Sequence, residues 1–402
     1  MRFLQNNGLR GNPRVALQPR ENSLAPRPSR TPRLVISSNA AWNVVNFRLG
    51  LLDALRADGF DVVAVAPDDA YAARLADHGI GYVPLAMDKQ GLSPLRDGLL
   101  LLRYWSVLRR LRPDVYLGYT AKPNVYGSLA AHLLGIKVVN NVAGLGTAFI
   151  RGGLLSRIVQ LLYRLAFSRS ATVFFQNDED RAMFVARGIV AADKAALLPG
   201  SGLDLSRYPA PQPRAASGEG FTFLLIARLI WDKGVREFVE AARIVKAARP
   251  GARLQLLGFL DVENRTAVPR AEVEAWVAEG LVEYLGDTED VRPFIAAADC
   301  IVLPSYREGM PRVLLEGAAM AKPLIATDVP GCRGIVTAGE NGLLCEVRSG
   351  ASLAEAMLRM IDLSEDERAR MGAAGRRRIE TEFDEKIVVD RYRAAIAKAL
   401  GR

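Results

Sequence analysis

The strongest constraint on this chain is a regular alternation of short aliphatic runs with helix-patterned segments, which begins near residue 33 and restarts near residue 221. Apolar runs at 34–37, 62–66, 82–85, 115–118, 137–141 and 172–176 are separated by glycine- or asparagine-bearing loops and helical patterns. Runs that are apolar throughout suit strands buried on both faces, and parallel strands need crossover helices to bury them. The pattern therefore predicts an α/β fold with a parallel, doubly wound sheet. A second series is expected to place strands at 221–227, 254–257, 282–285, 301–303, 324–326 and 343–345, with a helix over 235–248. Between the series lie Pro209-Ala210-Pro211-Gln212-Pro213-Arg214 and Ser217-Gly218-Glu219-Gly220, a polar, turn-rich break. At 402 residues, half of them hydrophobic, the chain exceeds one ordinary core. The expected layout is a first domain over 33–208, a linker over 209–220, a second domain over 221–383 and a helix over 384–402 that clasps both.

Composition excludes some classes. No run of about eighteen apolar residues offers a spanning helix. The three cysteines, Cys300, Cys332 and Cys345, include no CxxC pair, which argues against disulfide frameworks and metal clusters. A formal net charge of +9 favours an anionic partner. Residues 1–32 hold six arginines and one acid, Glu21, with several prolines. They read as a disordered leader.

Chemistry concentrates at Tyr306-Arg307-Glu308-Gly309-Met310-Pro311-Arg312-Val313-Leu314-Leu315-Glu316-Gly317. A helix is expected to begin at Pro311, because proline suits a first turn whose N–H has no intrahelical partner. The N–H groups of Gly309, Met310 and Arg312 then surround an open helix end, which attracts phosphate. Glu308 lies just outside that end. Glu316 lies a turn inside among apolar residues, where a carboxylate needs a partner. The plainer alternative is a capping Glu308 and a salt-bridged Glu316. In the same half, Arg228 and Lys233 fall in the loop after the strand at 221–227. A bidentate guanidinium and a point charge together suit a diphosphate.

In the first half, Asn39, Trp42, Asn43 and Arg48 follow a strand's carboxyl end, where such sheets bind ligands. Two basic, apolar helical segments, over 95–111 and 153–169, could rest on an anionic membrane surface. The commoner alternative is an ordinary helix packed on the sheet.

Taken in order, Arg228 with Lys233, Glu308 through Glu316, Pro323-Leu324-Ile325-Ala326-Thr327-Asp328 and Glu340-Asn341-Gly342-Leu343-Leu344 resemble retaining family-four glycosyltransferases of the GT-B fold. The first half also resembles their capsule and lipid-linked-oligosaccharide branch, through Asn39-x-x-Trp42-x-x-x-Asn46-Phe47-Arg48, Tyr119-Thr120-x-Lys122-Pro123 and Gly144-Leu145-Gly146. The resemblance implies two Rossmann-like domains facing a cleft. It implies that Arg228 and Lys233 bind the nucleotide diphosphate, that Glu316 accepts from ribose hydroxyls, and that Glu308 orients or stabilises the donor sugar. Gly309, Met310 and Pro311 would form the phosphate cradle, and Asn39, Trp42, Asn43, Arg48, Lys122 and Gly144 would line the acceptor side. Relatives often carry a histidine at the loop corresponding to 140–144. Here the only histidines are His78 and His132, so a front-face mechanism is expected, in which the departing phosphate takes the acceptor's proton.

The expectation is a retaining, metal-independent hexosyltransferase without a cofactor. It would move a hexose or N-acetylhexosamine from a UDP sugar to a polyprenyl-diphosphate-linked saccharide at the cytoplasmic face of a membrane, with no nucleic-acid partner. The alternatives are a UDP-N-acetylglucosamine 2-epimerase of the same fold, a transferase with a soluble acceptor, and a silent nucleotide-sugar-binding partner.

Overall fold

The computed structural model describes residues 31–88, 93–144, 153–209, 220–262 and 264–402. Most of the leader at 1–32 and of the linker at 209–220, together with Leu145, Gly146 and Arg151, lies outside them.

In chain order the first half runs β1 (Arg33–Ser37), α1 (Ala41–Ala57), β2 (Asp61–Ala66), α2 (Ala72–Asp77), β3 (Gly81–Pro84), α3 (Pro94–Leu111) and β4 (Val115–Tyr119). A π-helical turn (Pro123–Gly127) leads into α4 (Ser128–Leu133), β5 (Lys137–Val142), α5 (Gly153–Phe167), β6 (Thr172–Phe175), α6 (Asp178–Ala186) and β7 (Ala195–Leu197). The second half runs β8 (Thr222–Ile226), α7 (Val235–Ala248), β9 (Arg253–Leu257), α8 (Arg270–Ala278), β10 (Glu283–Tyr284), α9 (Arg292–Ala297) and β11 (Cys300–Leu303). It continues through α10 (Arg312–Ala319), β12 (Leu324–Thr327), α11 (Pro330–Arg333), β13 (Gly342–Cys345), α12 (Gly350–Asp362), α13 (Glu365–Glu382) and α14 (Glu385–Leu400).

The strands form two sheets, β3-β2-β1-β4-β5-β6-β7 and β10-β9-β8-β11-β12-β13, parallel at every named pairing, such as β1 with β4 and β8 with β11. This is the expected doubly wound arrangement, built twice. Strand β7 escapes the sequence pattern because Ala195-Ala196-Leu197 is too short to show a period.

Burial on both faces follows from side-chain alternation. On the first sheet, Leu34, Ile36, Leu117 and Phe174 pack with Leu52 and Leu55 of α1 and with Val388, Tyr392 and Ile396 of α14. The opposite face, through Val35, Tyr116, Val138 and Val173, packs on α3, α4 and α5 with Leu100, Tyr104, Ala130 and Phe167. The second sheet is sandwiched likewise, with Phe238 and Met357 on one side and Leu314, Ala318 and Ile379 on the other. Helix α13 thus lies on the second sheet and α14 on the first. Where the chain crosses, Leu203 N–H donates to Phe383 O at 2.9 Å and Glu385 N–H to Leu203 O at 3.1 Å.

In each sheet the strand order reverses beside its first strand, between β1 and β4 and between β8 and β11. Loops leaving the carboxyl ends of those strands form the ligand crevice of such folds.

Candidate active site

Loop 304–311 leaves the carboxyl end of β11, and loop 227–234 leaves the neighbouring β8. Gly234, at φ +73, sits so close to the first loop that a Cβ there would lie 2.0 Å from Pro304 O. That approach brings Lys233 to Glu308: Nζ ion-pairs with Oε1, the side chains being 22% and 12% exposed. Thus the carboxylate outside the helix end and the cation of the neighbouring loop form one unit. Arg228 is exposed, and its guanidinium has no hydrogen bond or ion pair among the described residues. It remains available to an anion.

Pro311 occupies the N-cap of α10 (φ −74, ψ 113) rather than its first turn. Its carbonyl accepts from Leu314 N–H at 3.1 Å, while its extended backbone turns the chain out of the helix, as an N-cap must. The helix end still opens toward the Glu308 loop. The Glu308-Gly309 peptide is tightly walled: a Cβ on Gly331 would lie 2.6 Å from both Glu308 O and Gly309 O, and one on Gly309 would lie 2.4 Å from Ala143 O. Met310 packs toward Gly200 of the first half.

Glu316 is buried, and its Oε1 accepts from Tyr208 Oη at 3.0 Å and from Arg312 Nε at 2.9 Å. Burial, with Glu316 alongside, holds the Tyr208 hydroxyl well above the usual phenol range. Burial works against the charge on Arg312, but Glu316 outweighs it and keeps the guanidinium firmly protonated. Arg312 Nη1 also donates to Asn46 O at 3.1 Å, and the guanidinium lies 5.3 Å from the Phe47 ring centroid. So Arg312 joins the α10 carboxylate to helix α1 across the cleft. The i,i+4 spacing of Arg312 and Glu316 was visible in the sequence as a helix ion pair; Tyr208 carried no such signal.

On the first-half lip, Asn43 Nδ2 donates to Asn39 Oδ1 at 2.8 Å and Trp42 N–H to Asp69 Oδ2 at 3.0 Å, which fixes the start of α1. Arg48 lies over the Tyr119 ring at 4.5 Å. Lys122 Nζ pairs with the buried Asp97 at 2.8 Å. Both cations therefore have internal partners. Gly144 is exposed at φ +156, following Ala143 out of β5. His132 Nε2 bonds the Ala166 carbonyl at 2.7 Å, and burial lowers its pKa. It serves packing between α4 and α5. No group of three or more His, Cys, Asp or Glu side chains among the described residues could hold a metal ion.

Residues 44–200 match the glycosyl transferase 4-like domain family and residues 220–363 the glycosyl transferases group 1 family. The chain is 27% identical, over 90% of its length and 97% of the relative's, to the N,N'-diacetylbacillosaminyl-diphospho-undecaprenol alpha-1,3-N-acetylgalactosaminyltransferase of Campylobacter jejuni. It is 21% identical, over 84% and 90%, to a capsular polysaccharide biosynthesis glycosyltransferase of Staphylococcus aureus. Among solved structures, sucrose-phosphate synthase from Thermosynechococcus elongatus superposes with a TM-score of 0.75 at 19% identity, covering 91% of this chain and 99% of the other. Anabaena HepE in complex with UDP and glucose superposes at 0.74 and 18%, covering 90% and 99%. These structures share the GT-B fold. With a 4-like domain followed by a group 1 domain on two facing doubly wound sheets, the chain belongs to the GT-B glycosyltransferases.

Proposed function

We propose that this protein transfers a hexose or N-acetylhexosamine, with retention, from a UDP sugar to a polyprenyl-diphosphate-linked saccharide. The observation that carries the reading is the Lys233–Glu308 pair, which lies beside the α10 end at the switch point of the second sheet, with the exposed Arg228 in the same loop after β8. Fixed positive groups there suit a departing diphosphate, whose charge develops in the transition state. Glu316, held by Tyr208 and Arg312, presents its second oxygen for ribose hydroxyls. The acceptor hydroxyl attacks the anomeric carbon on the face from which the diphosphate departs; the carbon–oxygen bond to phosphate breaks, and the hydroxyl proton passes to the leaving phosphate. Positioning and charge stabilisation are then the protein's part. Arg228, Lys233 and the helix end take the place a divalent metal would fill.

The choice of UDP draws on the UDP bound in HepE, and the acceptor on the diphospho-undecaprenol in the name of the Campylobacter relative. That name also specifies an alpha linkage, and an α product from an α-linked nucleotide sugar is net retention.

On this reading the enzyme works at the cytoplasmic face of the membrane that would carry its lipid-linked acceptor. No helix among the described residues is long and apolar enough to cross a membrane. Instead α3 and α5, on one face of the first sheet, expose Leu95 (89%), Leu102 (63%), Leu161 (55%) and Leu165 (50%), with Arg109, Arg110 and Arg157 exposed among them. On each helix, exposed leucine with arginine at helical spacing suits an anionic headgroup layer.

Mass spectrometry of products from a panel of nucleotide sugars, each offered with polyprenyl-diphosphate saccharides, tests the reading. An α-linked sugar added to the lipid-linked acceptor is the expected result. Epimerised donor with no mass gain, or transfer only to free saccharide, would replace it.

A further inference from the structure

We propose that Asp180 is a positioning residue: it latches the Glu308 loop to the first half, so that Glu308 is fully placed only when the cleft is closed. This rests on the reading of Glu308 as a donor-site residue.

Asp180 stands in the first turn of α6 and is 1% exposed. Its Oδ1 accepts from Arg307 Nη2 at 2.5 Å, its Oδ2 from Asn177 Nδ2 at 3.1 Å, and its own N–H donates to Asn177 Oδ1 at 2.8 Å. Asn177 Nδ2 also donates to Gly309 O at 3.3 Å. The two residues flanking Glu308 are therefore both held by the first half. The root of the same loop is held by the second half, where Tyr306 Oη donates to Glu237 Oε1 at 2.8 Å and Tyr306 N–H to Asp232 O at 2.9 Å.

These two sets of contacts respond differently to domain motion. The anchors at Tyr306 lie wholly within the second half and would travel with the loop. The contacts at Arg307 and Gly309 exist only while α6 and the β5 end lie against the loop, and there a Cβ on Gly309 would strike Ala143 O. Arg307 is also the cation that pairs with the buried Asp180 carboxylate among the described residues. Closure compensates that charge, and opening removes the front wall of the Glu308 peptide. The neighbouring Arg333–Glu179 pair, at 3.2 Å and about half exposed on both sides, adds little.

The test compares Asp180→Asn, Arg307→Gln, their double variant and Glu308→Gln, all in the full-length protein. Three readings are taken: transfer kinetics, UDP affinity, and hydrogen exchange of the amides at 307–310 with UDP bound. Asp180→Asn should lower kcat about 10- to 100-fold, the scale of a small misplacement, and change UDP affinity by less than about threefold, since UDP's assigned ligands sit on the second half. Exchange of the loop amides should rise at least about tenfold as the latch opens. The double variant should be no slower than the slower single, because both substitutions break one contact. Unchanged kcat and unchanged exchange in Asp180→Asn would overturn the latch. Faster exchange with unchanged kcat would overturn its coupling to turnover. Full turnover in Glu308→Gln would instead overturn the donor-site reading, while the exchange result would still report on the latch by itself.

Discussion

Replacing Lys233 with methionine separates structural from chemical roles at the centre of the site. Methionine keeps the length of the apolar stem but removes the charge, and Glu308 loses the ion-pair partner it has among the described residues. Because that carboxylate is still 12% exposed, water relieves part of the penalty. The folding cost should be about 1–3 kcal/mol, below that of a fully buried pair. The chemical cost is separate. Losing one charged group aimed at the leaving diphosphate should raise the barrier by about 3 kcal/mol, a fall of about 100-fold in kcat/KM. The double variant Lys233→Met, Glu308→Gln has no unpaired charge, so most of the lost stability should return. Turnover should not. Thermal melts and initial rates at subsaturating donor measure the two quantities on the same preparations. If the double variant regained turnover together with stability, the pair would be a structural salt bridge only. Near-normal rates in Lys233→Met alone would equally remove Lys233 from the diphosphate site.

Four further outcomes are expected. Glu316→Gln should weaken UDP binding by about tenfold in calorimetry, the loss of one charged acceptor, whereas Tyr208→Phe should cost about 1 kcal/mol of stability with transfer chemistry intact; the reverse ranking would remove Glu316 from the donor site. Transfer should survive EDTA, and abolition by chelation with rescue by magnesium or manganese would refute the cationic cradle. His132 has a pKa lowered chiefly by burial, so the fold favours its neutral form; stability present above about pH 6.5 should decline as pH falls through the lower native value, and His132→Gln should flatten that decline in acid melts. Vesicle co-sedimentation with anionic lipid should fall with salt and fall again in the variant Arg109→Glu, Arg110→Glu, Arg157→Glu, each basic residue being worth about 1 kcal/mol near the surface. Arg103 and Arg164 are poor choices there, because they donate to Ala86 O and to the Gly188 and Arg187 carbonyls. Binding that ignores both salt and these charges would refute the surface role.

Local pattern was enough for the architecture. Helix Val235–Ala248 and the run of strands from β1 to β13, β7 excepted, follow from apolar periodicity and from glycine and proline punctuation, because these act over a few residues. The doubly wound order follows from the alternation of strand and helix, which leaves few topologies open. The order of Arg228, Lys233, Glu308 and Glu316 also pointed to the family. Partner choice was not legible. Lys233 and Glu308 lie 75 residues apart, Tyr208 and Glu316 108, and Arg307 and Asp180 127. Only strand order and the closeness of the two sheet edges bring them together, and no local propensity encodes a contact across such separations. The same holds for exposure: in Leu99-Leu100-Leu101-Leu102 the residues at 99 and 102 face outward while Leu100 is 2% exposed, a choice made by the rotation of α3 against its sheet. What a charged or apolar side chain finally meets, and hence whether Lys122 and Arg48 are free for a ligand or engaged with Asp97 and Tyr119, was decided by tertiary packing, because burial and pairing energies depend on neighbours that the chain supplies only after it has folded.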